Sequence, residues 1–257
     1  MTILTRLFWC LTVFGFVGYA SAQTVQAEFN VPPESSMPGG VLGIAIEQGR
    51  KIMNETQMLL PKNVGNALNC SSCHLKGGTV PGAAPFVGLW GVFPEYNLRD
   101  GKVVTLSQRI NDCFERSMNG RPLSYTSDEM TNMLAYIKWL STGVPTGQDV
   151  KGRGFGPIDL KLSSDPSRGK VLFAQKCASC HGADGAGLKL PSGGYVFPPL
   201  WGDESFNDGA GMARTHTAAA FIRYKMPEGA PNSLTDQEAV DIASFFANQP
   251  RPAFIKP

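Results

Sequence analysis

Two strings, Cys70-Ser71-Ser72-Cys73-His74 and Cys177-Ala178-Ser179-Cys180-His181, constrain this 257-residue chain more than anything else in it. Two thiols at that spacing add to the two vinyl groups of one porphyrin, and the residue that follows offers an imidazole to its iron. Cys-x-x-Cys-His is therefore the attachment signature of a c-type haem. Two such strings predict two covalently bound haem c groups. Cys70, Cys73, Cys177 and Cys180 are the expected thioether donors, and His74 and His181 the proximal ligands. A pair of zinc or redox Cys-x-x-Cys sites is the alternative; the histidine directly after each pair and the secretory character of the N-terminus disfavour it.

That N-terminus reads as a signal peptide over 1–22. Arg6 supplies a positive region, Leu7 to Val17 an almost unbroken apolar stretch, and Ala20-Ser21-Ala22 a small-residue cleavage site, so the mature chain starts at Gln23. The apolar run is too short and wrongly flanked for a membrane span, which predicts export to the periplasm without stable membrane insertion. Cys10 leaves with the signal and lacks the small preceding residue expected of a lipidated cysteine. Four of the five remaining cysteines are consumed by the haem strings, leaving Cys113 without a partner in an oxidising compartment. An inert buried thiol, an intermolecular disulfide, or a thiolate ligand or nucleophile would each account for it. Charge adds an exclusion: 23 basic residues stand against 21 acidic ones with no basic run, so no nucleic-acid partner is expected.

The text around the two strings recurs in order. Gly49-Arg50-Lys51 precedes the first as Arg168-Gly169-Lys170 precedes the second, and the stretch from Pro85 to Gly91 answers that from Pro198 to Gly202. Each half then carries a Thr-x-x-Glu capping box, Thr126 to Glu129 and Thr235 to Glu238, ahead of an apolar-periodic helix. Met130, Met133, Leu134, Ile137 and Leu140 mark the first helix; Ala239, Ile242 and Phe246 mark the second. This order resembles the cytochrome c domain, twice over. The resemblance implies an all-α chain of two tandem cytochrome c domains, 23–142 and 167–257, each wrapped around one haem. Residues 143–166, rich in Gly, Pro and Asp and without apolar periodicity, are the expected linker. Pro85 and Pro198 are the candidates for orienting the proximal imidazoles through backbone carbonyls.

Distal ligands decide the chemistry. Only His216 remains after the proximal pair, and it reads as structural or surface-exposed. In the second half Met226 lies nine residues before Thr235, where a cytochrome c domain keeps its thioether ligand, and Lys225 stands beside it as a possible competitor or a solvated partner-steering charge. In the first half two candidates compete. Met118 has the matching register, whereas Cys113, five residues earlier, would give a thiolate-ligated haem of lower potential.

The segment Arg109-Ile110-Asn111-Asp112-Cys113-Phe114-Glu115-Arg116-Ser117-Met118-Asn119-Gly120-Arg121-Pro122, with Lys225-Met226-Pro227 in a second domain, resembles the dihaem thiosulfate dehydrogenases. The resemblance spans the mature chain. It implies His74/Cys113 ligation at a substrate-side haem, and at an exit haem His181 with Met226, or with Lys225 yielding to Met226 on reduction. It further implies Arg99, Arg109 and Ser117 as residues of the substrate pocket. The expected reaction is oxidation of two thiosulfate to tetrathionate, with the reverse reaction open at the same site, and with electrons passing from the first haem to the second and out to a soluble cytochrome or membrane oxidase. Pairing two dianions opposes their mutual repulsion, and guanidinium groups answer it with fixed planar donors. Of the other cations near Cys113, Lys102, Arg116 and Arg121, the two arginines are expected on a solvated helix face. The first domain is also similar to the cytochromes of the periplasmic sulfur-oxidising complex, which likewise use a cysteine ligand. The competing functions are a non-catalytic dihaem electron shuttle and a haem subunit of that complex.

Overall fold

In the computed structural model, which describes residues 26–191 and 194–255, helices carry both halves. The first half runs through α1 (Gly40–Asn54), α2 (Thr56–Leu59), α3 (Leu75–Gly78), the hairpin β1 (Glu95–Asn97) and β2 (Lys102–Val104), α4 (Leu106–Arg116) and α5 (Asp128–Leu140). The second runs through α6 (Pro166–Lys176), α7 (Ala178–His181), the hairpin β3 (Leu188–Lys189) and β4 (Tyr195–Phe197), α8 (Thr215–Lys225) and α9 (Asp236–Ala247). The all-α architecture thus holds with two small antiparallel hairpins added. The signal peptide expected over 1–22 lies outside the described residues.

Each half is closed by its first and last long helices crossing, α1 on α5 and α6 on α9. The repeated glycine sits at that crossing. A methyl group on Gly49 would overlap the Asn132 carbonyl oxygen of α5, and one on Gly169 the Asp241 carbonyl oxygen of α9. The geometric equivalence is therefore Gly49 with Gly169, a finer register than the Gly-Arg-Lys and Arg-Gly-Lys strings display. Helix starts follow their caps. Thr235 caps α9 in a reciprocal box with Glu238, as expected. In the first half the cap moves by one residue: Ser127, not Thr126, accepts the Met130 N–H (3.2 Å), while the Thr126 hydroxyl meets that of Ser124 (3.2 Å). Ser127 takes the role because it is the residue directly before the first helical position, with the extended backbone a cap needs.

Met130, Met133, Ile137 and Leu140 of α5 pack with Ile46 and Met53 of α1 and Phe114 of α4, and this core continues into Phe206, Ala218, Val240 and Phe246 of the second half. A satellite cluster there centres on Phe173 and Ile242, with Trp201 packed against Phe173 (ring centroids 5.1 Å apart).

The Gly/Pro-rich stretch is anchored along the first half. Lys151 N–H donates to the Ala27 carbonyl (2.9 Å), Gly82 N–H to that of Gly152 (2.6 Å) and Ala84 N–H to that of Gly154 (2.7 Å), while Val150 is 1% exposed. Its lack of periodicity reflects pairing with loops instead of packing as a helix. Among the described residues, no helix is long and apolar enough to cross a membrane.

Candidate active site

The first haem string begins as a 3-10 turn, Cys70–Ser72, boxed by Asn69 and Ser72. Beyond it the His74 ring is fixed from behind: Nδ1 lies 2.5 Å from the Ala84 carbonyl oxygen, which in the Nδ1–H tautomer leaves Nε2 free for a metal. The expectation that Pro85 supplies this carbonyl is corrected by one residue. In the second half His181 Nδ1 lies 3.1 Å from the Pro198 carbonyl, as expected. In both halves the carbonyl belongs to the residue preceding a proline, Pro85 or Pro199, so the doubled proline of the second half displaced the apparent register. Ala84 is also held by Gly154 on the other side, so the anchored stretch helps place the proximal imidazole.

Cys113 lies on α4, one turn after Arg109, whose Nη1 donates to the Cys113 sulfur (3.0 Å). Burial pushes the Cys113 thiol up, but the Arg109 charge and the nearby His74 ring outweigh it and bring it down to about 7. The same surroundings push Cys70 and Cys73 up to about 12, chiefly through burial, with the Cys113 thiolate adding to the effect. Three sulfurs and one imidazole thus lie close enough to shift one another's titration. Met118, the competing candidate, is 3% exposed in the apolar core.

Around Cys113 the arginines are interleaved with two acids that sequence reasoning missed. Arg99 Nη2 is 3.8 Å from Asp112 and its Nε 3.8 Å from Asp100, while Arg116 Nη2 reaches Asp100 at 3.3 Å. Burial and the neighbouring Arg116 and Arg109 hold Arg99 below its ordinary value, and burial with Asp100 nearby raises Asp112. One Asp112 oxygen is buried without a hydrogen-bond partner. Arg116 is not on a solvated face: its side chain is 15% exposed and its guanidinium covers the Phe254 ring at 4.2 Å. Arg121 and Lys102 are exposed, as expected for Arg121. Ser117 is the C-cap of α4, half-buried, with its carbonyl held by Asn66 Nδ2 (2.8 Å). Asp112 is adjacent to Cys113 in sequence and was findable; Asn66 carries no local signal.

In the second half burial pushes Cys177 up to about 11 and holds His181 below its ordinary value, favouring the neutral imidazole a metal needs. Met226 is the half-buried C-cap of α8. Lys225, its neighbour, sends its ammonium to the Pro81 carbonyl of the first half (2.6 Å). His216 is exposed. Arg251, over the Phe206 ring at 4.4 Å, has a buried Nε without a partner and is drawn down to about 10 by burial.

In each half the donors suit a covalently attached porphyrin: two thiols on one turn, an imidazole with its outer nitrogen tied back, and in the second half a half-buried arginine with a free buried Nε–H of the kind an anionic propionate satisfies. Fold and donor sets together define a dihaem c-type cytochrome. Residues 61–146 match the family described as SoxA/TsdA, cytochrome c domain, and residues 164–246 that described as cytochrome c oxidase, cbb3-type, subunit III. The chain belongs to the thiosulfate dehydrogenase family. It is similar to the thiosulfate dehydrogenase of Psychrobacter arcticus, 51% identical and covering 86% of this chain and 68% of that one. It is likewise similar to that of Allochromatium vinosum, 47% identical over 97% of this chain and 93% of the relative. The solved thiosulfate dehydrogenase (TsdBA) of Marichromatium purpuratum superposes with a TM-score of 0.81 at 37% identity over 88% of this chain, which spans half the length of that protein. Two c-type haems, one per half, are the cofactors.

Proposed function

We propose that the protein is a thiosulfate dehydrogenase that joins two thiosulfate ions into tetrathionate with release of two electrons, the mature chain acting in the periplasm after removal of residues 1–22. The two haems, when bound, supply the one-electron acceptors and the route out to a soluble cytochrome or a membrane oxidase. Cys70, Cys73 and His74 would hold the first and Cys177, Cys180 and His181 the second, with Cys113 and Met226 as the further donors to each and Lys225 as competitor to Met226.

The setting of Cys113 carries this reading: a buried thiol brought down to about 7 with the Arg109 guanidinium 3.0 Å from its sulfur. Its thiolate bonds the terminal sulfur of one thiosulfate, and the resulting Cys113 S-thiosulfonate forms with loss of two electrons. The terminal sulfur of a second thiosulfate attacks the outer sulfur of that disulfide bond, tetrathionate departs, and the Cys113 thiolate is regenerated. Arg99 and Arg109 hold the sulfonate oxygens and screen the approach of the second dianion, with Ser117 at the end of the same helix. A pure electron shuttle would use Met118 as ligand; the Arg109 guanidinium 3.0 Å from the Cys113 sulfur favours Cys113 instead.

The test is product stoichiometry with an artificial one-electron acceptor. One tetrathionate per two acceptor molecules reduced is expected. Acceptor reduction accompanied by sulfite or sulfate would overturn the coupling reaction.

A further inference from the structure

The helix that carries Cys113 is finished at its C-terminal end by the other half of the protein. A helix leaves its last carbonyls without internal partners. In α4 the Cys113 carbonyl accepts the C-cap Ser117 N–H and that of Met118 (2.9 Å), and the Phe114 carbonyl is taken by Gly120 N–H (2.8 Å). The next two cross between halves: the Glu115 carbonyl accepts from Asn207 Nδ2 (2.8 Å) and the Arg116 carbonyl from Asn207 N–H (3.2 Å). Asn207 is 1% exposed, its second amide hydrogen faces Asn119 Oδ1 (3.3 Å), and its Oδ1 accepts Gly209 N–H (3.1 Å). The Gly209 carbonyl in turn receives Arg99 Nη1 (3.4 Å). On the opposite side Asn66 Nδ2 bridges the carbonyls of Ser117 (2.8 Å) and Ser205 (3.1 Å).

We propose that Asn207 is a positioning residue for Cys113: by closing the C-terminal turn of α4 from the second half, it sets where the sulfur stands relative to His74 and Arg109. The inference rests on the reading that Cys113 is the distal ligand and nucleophile. The side-chain amide is the only part of Asn207 a substitution alters, so its loss leaves the Arg116 contact intact and removes the Glu115 one together with those to Asn119 Oδ1 and Gly209 N–H. A carboxylate in its place would also face carbonyls at the negative end of the helix.

The test uses full-length protein with both haems attached, in the ferric state, read by the low-spin signal of thiolate-ligated haem and by steady-state thiosulfate oxidation. Wild type should show the signal. Asn207→Ala should lose a large part of it per haem and lower kcat about tenfold, equivalent to about 1.4 kcal/mol, with KM little changed. Asn207→Asp should lose more, and Asn207→Gln, which keeps the amide, should regain part. Thr235→Ala, which weakens α9 of the second half without touching α4, should lower Tm and leave the signal intact. Signal and kcat at wild-type level in Asn207→Ala or Asn207→Asp, or a loss of folded protein with the signal per haem unchanged, would make Asn207 merely structural and overturn the proposal. Absence of the signal from wild type would instead strike the ligation reading, and the positioning role with it.

Discussion

The Arg109 guanidinium and the Cys113 sulfur, 3.0 Å apart on consecutive turns of α4, concentrate the chemistry of this protein in one pair of side chains. Arg109 serves twice in the proposed mechanism, favouring the thiolate and holding the incoming dianion, whereas Arg99 only holds. Replacing either with Gln should lower kcat/KM for thiosulfate by about 1.5 to 3 kcal/mol, the range of charge-assisted hydrogen bonds. Arg116, whose contacts are Asp100 and Phe254, should behave differently. Arg116→Ala takes the nearer cation from the half-buried Asp100, which keeps Asn97 Nδ2 (2.8 Å) and Arg99 at 3.8 Å, and should lower stability by about 1 kcal/mol while changing kcat/KM little. Denaturant titration beside steady-state kinetics separates the two classes, and equal small kinetic losses at all three positions would mean a diffuse field with no specific pocket. What was legible at this scale was whatever side-chain identity reveals: the odd cysteine, the arginines near it, the two proximal histidines. The Ala84 carbonyl was not, because a backbone group carries no residue signature, and the burial of Arg116 was not, because it depends on Phe254, far away in the chain.

At the scale of elements the repeat made the closing helices and their glycine crossings readable, since Gly49 and Gly169 recur for the same steric reason. Boundaries were less so, because Thr126 and Ser127 are both competent caps and the choice is settled only by where α5 begins. Ser127→Ala should cost about 1 kcal/mol, the usual value of a lost N-cap, and Thr126→Ala far less; thermal unfolding of the two variants decides between them, and the reverse order would restore Thr126 as the cap. The two hairpins were missed because β3 is two residues long and β1, β2 and β4 three each, too short for period-two alternation to register.

Across the whole molecule the halves meet through hydrogen bonds that no local pattern foretells. Lys225 is the clearest case, since its ammonium rests on the Pro81 carbonyl of the first half. To compete with Met226 at the second haem it must leave that carbonyl and lose its proton, and burial already holds it below its ordinary value. The harder amine nitrogen favours ferric iron and the thioether ferrous iron, so reduction should drive exchange from Lys225 to Met226. The band toward the red end of the visible spectrum that reports ferric thioether ligation should therefore be incomplete in oxidised wild type and full in Lys225→Asn. If it is full in wild type and lost in Met226→Gly, Met226 is the resting ligand and the exchange does not occur. The central claim, that Cys113 performs sulfur chemistry and is not simply a ligand or a buried thiol, is tested most directly by steady-state thiosulfate oxidation in wild type and Cys113→Gly at matched haem content. Wild type should turn over and form tetrathionate, while Cys113→Gly should keep both attached haems and lose nearly all turnover; Cys113→Gly oxidising thiosulfate at the wild-type rate would contradict the account.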